Sequence, residues 1–170
     1  ATSTRLTAWQ RYLGSVPGCD EGWGLYAESL ADELGLMPAP EDRFGRLAAR
    51  RWRLARVLVD LGVHSRLPVP DDVAALPGAC REWNRATVTA VLRHHTVISE
   101  GRLRFEVSRH LGWPAQPLAY AVGERVWRAG RRSAQAQART EGGELDLRAF
   151  HNRGIDLGSV GLDLLASALH

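Results

Sequence analysis

Three groups of residues have types and spacings that could do chemistry. In the stretch CDEGWGLYAE, residues 19–28, Glu21 and Glu28 stand seven apart. On a helix that is two turns, so both carboxylates face one side with their backbones about 10 Å apart along the axis. At most one of them can then ligate a given metal ion directly. The plainer reading is that Asp20 caps the helix, Glu21 complements its positive end and Glu28 forms a surface ion pair. The second group is Trp52, Arg56, Asp60 and His64, spaced four apart on a long helix and so forming one drifting stripe. Asp60 can pair with Arg56 and also orient the His64 imidazole, which fixes its tautomer. A solvent-facing ion pair ending in a histidine has the same spacing. The third group is the segment WPAQPLAY, residues 113–120, where prolines flank Gln116 and Tyr120 follows within a turn. A rigid turn presenting an amide and a phenol suits the wall of a polar pocket, although a kinked connection would look alike.

Several chemistries lack their signature. The histidines are His64, His94, His95, His110, His151 and His170, and none belongs to an H-E-x-x-H pair that would set two imidazoles on one helix face around zinc. His94 and His95 are adjacent, so on a helix they point about 100° apart and make poor joint ligands. There is no G-x-S-x-G elbow, P-loop or G-x-G-x-x-G. The chain does not encode a complete zinc site by itself. Its two cysteines, Cys19 and Cys80, make neither a disulfide framework nor a metal cluster. They read as free thiols of a reducing compartment, so a cytoplasmic location is expected.

Positioning these groups falls to an all-α domain. At 170 residues and 45% hydrophobic content, the length suits one domain with a single core, residues 1–170. Mean hydropathy is −0.23, and no apolar run approaches the roughly 20 residues of a membrane-spanning helix. The opening ATSTRLTAWQ lacks the basic-then-apolar order of a secretory signal, and without an initiating Met it reads as a processing boundary. Net charge is +3, and all 22 basic residues are Arg, which together with the abundant Ala, Gly and Leu fits a GC-rich genome. The arginines are scattered among a similar number of acids, so no nucleic-acid footprint is expected.

Helical periodicity predicts a helix over about residues 4–13 with Leu6, Trp9 and Leu13 on one stripe, broken by Pro17 and Gly18. A second helix, capped by Asp20, runs to Leu34 and stops at Gly35. The longest runs over about 41–62 with Phe44, Leu47, Ala48, Leu54, Ala55, Leu58 and Val59 on a broad apolar face. A proline-rich loop follows over 65–80, with one short turn at 71–76. Further helices are predicted over about 82–97, 100–111, 118–139, 145–152 and 160–168.

Four segments in order, EGWGLYAESLADELGL, DRFGRLAARRWRLARVLVDLGVH, WPAQPLAYAVGE and LDLRAFHN, resemble the C-terminal part of one bacterial family. It is the family catalogued as domain of unknown function 885, related to zinc peptidases of the HExxH type. The resemblance covers residues 20 to about 165, leaving 1–19 as an N-terminal helix and turn. It implies a helical fold similar to the C-terminal half of thermostable carboxypeptidases and gluzincins. In such proteins an upstream segment supplies two histidine ligands and a catalytic glutamate. The glutamate of the E-G-W motif, here Glu21, looks like the third zinc ligand, with Glu28 behind it. Zinc is then implied only with ligands from outside this chain. Arg56, Asp60 and His64 look like cleft residues, and Tyr120 is a candidate to stabilise an oxyanion. Arg109 is a candidate to bind a substrate carboxylate, with Trp23 and Gln116 beside it in the substrate-binding set. Family members usually read W-P-G-Q-A-L-A-Y-K, where this chain has Ala115, Pro117 and Ala121, and Gly24 stands where Ala is usual.

Three functions follow as expectations. The first is the cleft-lining C-terminal half of a zinc-peptidase-like hydrolase acting on a peptide or small molecule. The second is a naturally short, metal-independent enzyme using Glu21, Glu28, Asp60, His64 and Tyr120 for acid–base work in specialised metabolism. The third is a non-catalytic interaction domain. A chain of this kind should expose apolar faces for a second copy, most simply in a homodimer, or for a missing N-terminal half.

Overall fold

The computed structural model describes residues 6–170, and among them the chain is helical with no strand. The helices are α1 (Ala8–Tyr12), α2 (Pro17–Glu33), α3 (Pro40–His64), α4 (Asp71–Ala74), α5 (Arg85–His95), α6 (Glu100–Gly112), α7 (Leu118–Thr140), α8 (Leu147–Ile155) and α9 (Leu162–Leu169). Residues 4 and 5, where the first helix was expected to begin, lie outside the described residues. From there on, Thr7 starts α1 through a capping box with Gln10. That helix buries nothing: Trp9 and Leu13 of the expected stripe are exposed.

Local chemistry sets the other boundaries. Asp20 does not cap α2; the helix already begins at Pro17 and Asp20 lies in its first turn. Proline is suited to the first helical position, where its missing N–H has no intrahelical partner to lose and its φ is already helical. Pro40 does the same for α3, with Glu41 and Asp42 at the positive end of the helix dipole. Asn84 delays α5 beyond the expected start by accepting from the amides of Ala86 and Thr87, and Ser99 and Asp146 cap α6 and α8.

The chain forms two compact units. One takes the chain up to Leu30 and from Ala119 to His170; the other takes Ala31–Leu118. In the first, Cys19, Tyr26, Trp127, Phe150, Leu165 and Leu169 make the core. There α2 and α7 meet through glycine: a Cβ on Gly22 would drive into the backbone of Gly123. In the second unit, Ala55 and Val59 of α3 pack with Val88, Val91 and Leu92 of α5 and Leu103 and Val107 of α6. The apolar face expected along α3 is therefore buried only toward its C-terminal end. Phe44, Leu47 and Leu54 are exposed, and with Trp52, Val97 and Ile98 the first two line an open groove of about 720 Å³. No element of this unit covers that part of α3.

Candidate functional site

The strongest concentration of buried polar groups lies in the second unit, where α3 meets α6 and the turn after it. Arg56, Asp60, Glu106 and His110 are all buried, a costly arrangement unless each finds partners. Arg56 Nε donates to His110 Nε2 at 3.2 Å, and its Nη2 donates to the Gln116 amide oxygen at 3.0 Å. Arg109 Nη2 donates to that same oxygen, also at 3.0 Å. Arg102 donates to Glu106 at 2.9 Å, and Arg109 approaches the other Glu106 oxygen at 3.7 Å. Aromatic faces brace the guanidiniums, with Trp52 beneath Arg56 and Arg102 and Trp113 beneath Arg109.

His110 Nε2 also lies 3.3 Å from Glu106 Oε2, which would be an ion pair if the imidazole were charged. It is not charged at neutral pH. Burial, then the neighbouring Arg56, press its pKa down to about 4 against the opposing pull of Glu106. Because Nε2 accepts from Arg56, the ring proton sits on Nδ1, a buried atom with no hydrogen-bond partner.

Asp60 does something the sequence did not suggest. Both its carboxylate oxygens accept from the Ala115 amide at 3.0 Å, tying the proline-flanked turn to α3. Ala115 needs that tie, because its φ of 67° lies in the left-handed region that glycine favours. His64 Nε2 is 3.9 Å from Asp60 but donates to the His110 carbonyl at 2.8 Å, so that carbonyl sets its tautomer. Arg56 and Asp60 are thus interior groups, and the solvent-facing ion-pair reading of the stripe does not hold for them.

The other expected site residues lie in the first unit. Glu21, Trp23 and Glu28 are half-buried on α2, and Tyr120 is half-buried in the first turn of α7. Trp23 joins an aromatic cluster with Tyr26, Trp127 and His151, in which the Tyr26 hydroxyl and His151 Nε2 are 2.9 Å apart. Among the described residues no three His, Cys, Asp or Glu side chains converge as a metal centre. A lone Glu21 carboxylate does not fit zinc without donors from elsewhere.

Sequence reasoning brought Arg56, Asp60, His64, Arg109 and Gln116 to attention, and the second unit gathers all five. It missed Glu106 and His110. Their signal was available: Leu103, Glu106, Val107 and His110 follow the i, i+3, i+4, i+7 pattern of a buried face. Two titratable residues on an apolar stripe mark a buried polar site.

Comparison with known proteins agrees with an all-helical member of one bacterial group. Residues 1–169 match the family described as bacterial protein of unknown function (DUF885), and the chain belongs to it. A crystal structure from Colwellia psychrerythraea, of a protein designated a lipoprotein, is similar with a TM-score of 0.74 and 28% identity. The likeness covers 90% of this chain and 23% of that one, so the chain spans less than a quarter of that protein's length. No curated protein matches the sequence. Among the described residues no helix is long and apolar enough to cross a membrane.

Proposed function

We propose that this chain is the substrate-cleft segment of a zinc-peptidase-like hydrolase whose other metal ligands come from outside it. The observation that supports this reading is the convergence of Arg56 and Arg109 on Gln116, three residues that the sequence nominates for substrate binding. Zinc, when bound, would polarise a carbonyl and lower the pKa of its water. In this chain Glu21 is its proposed ligand, and Tyr120 and Glu28 are the candidates for direct contact with the reacting group. Asp60 is a positioning residue, because both its carboxylate oxygens accept from the Ala115 amide, and His64 is anchored beside it through its Nε2 bond to the His110 carbonyl.

The uncovered groove on α3 is proposed as the seat for the remainder of a longer protein. Its apolar lining and the short coverage of the Colwellia structure support that reading.

The test is metal analysis of the chain joined to whatever polypeptide its gene encodes upstream. The expected result is stoichiometric zinc that Glu21→Ala removes. A joined protein without stoichiometric zinc, or one whose zinc survives Glu21→Ala, overturns the metal reading.

A further inference from the structure

The geometry points to Arg56 and Arg109 as a receptor for a substrate carboxylate, with the Gln116 amide occupying its seat while no ligand is bound. Two guanidinium nitrogens donating to one oxygen, each at 3.0 Å, is the arrangement a carboxylate oxygen receives from a pair of arginines. An amide oxygen carries only partial charge, whereas bonds from Arg to an ionised acceptor are shorter and roughly twice as strong. A carboxylate is therefore the better occupant of a seat already shaped around a planar, trigonal side-chain group.

Both arginines are held ready. Arg56 is fixed by burial, by its bond to neutral His110 and by the Trp52 face. Arg109 is fixed between Glu106 and Trp113. A ligand finds the donors in place and does not pay to order them. Gln116 is the adjustable part. The backbone before it is pinned through Ala115 to Asp60 and bracketed by Pro114 and Pro117, so its side chain can swing away while the turn stays. Approach is from the Arg109 side, because that side chain is 23% exposed whereas Arg56 is 5% exposed.

Carboxylate rather than phosphate is favoured by the planar amide already in the seat. If the hydrolase reading holds, on which this choice of substrate rests, the substrates are peptides or N-acyl amino acids carrying a free carboxylate.

The probes are hippurate, its uncharged amide hippuramide and inorganic phosphate, each titrated calorimetrically into the 170-residue chain. Hippurate is expected to bind saturably and hippuramide about tenfold or more weaker, the usual cost of leaving a charged partner unmatched. Gln116→Glu places a carboxylate of the same shape in the seat, so it should raise Tm and abolish hippurate binding. Gln116→Ala empties the seat and should tighten binding severalfold. Arg109→Gln should weaken it about tenfold or more. Equal affinity for hippurate and hippuramide, hippurate binding retained by Gln116→Glu, or phosphate binding more tightly than hippurate would each overturn the inference. Zinc plays no part in these titrations. Loss of the zinc reading leaves them standing, and their failure removes the carboxylate receptor while leaving the separate metal analysis untouched.

Discussion

His110 shows how one buried residue makes stability depend on pH. Its pKa is lowered from 6.5 to about 4, by burial first and then by Arg56 and Arg109, with Glu106 pulling the other way. As pH falls through that interval the unfolded chain takes up a proton that the folded chain refuses, so stability drops. Between about pH 7.5 and about pH 5 this residue should account for a loss of about 2 kcal/mol. Denaturant unfolding of the native chain and of His110→Gln at both pH values measures it. The variant carries no titrating ring and should lose less stability on acidification by about that amount; equal losses would remove His110 as the cause. The sequence shows His110 and Glu106 plainly but not their burial, because the partner that binds the imidazole, Arg56, lies 54 positions away. Gln116 was easier to find, since two prolines beside it announce a fixed turn.

At the scale of elements, the two glycines of the E-G-W-G stretch do different things. Gly22 faces the backbone of Gly123 on α7, where a Cβ has no room, while Gly24 is exposed with nothing within 4 Å of a Cβ built on it. Gly22→Ala should therefore force α2 and α7 apart and cost about 2 kcal/mol or more, as overpacking does. Gly24→Ala should stabilise α2 by up to about 1 kcal/mol, the helix-propensity difference. Thermal melts of the two variants check this, and a similar shift in both would break the distinction. The helices themselves were largely legible from periodicity and capping residues. The start of α2 was not, because a proline reads as a helix breaker as readily as a first helical residue, and Pro17 is the latter: α1 has already ended at Tyr12. Nor did periodicity show which part of the α3 face would be covered, because that depends on where α5 and α6 pack.

At the scale of the whole molecule, the apolar residues gather in two cores, and each unit has its own. Composition reports only how much apolar material there is, so it does not show this division. The surplus shows in the second unit, where Phe44 is 73% exposed and Leu47 56% exposed beside the groove. Arg51 lines the same groove, so it offers an apolar floor with a cationic edge, suited to a partner segment that is apolar with an acidic flank. Without such a partner, the isolated chain should bury this face against other copies as concentration rises. Sedimentation velocity over a concentration series should show that association, and Leu47→Glu should abolish it. Because Leu47 lies outside both cores, the same substitution should change unfolding stability by less than about 0.5 kcal/mol. A native chain that stays monomeric throughout the series would make the groove ordinary surface. A Leu47→Glu chain that loses stability instead would place Leu47 in the packing of its own unit.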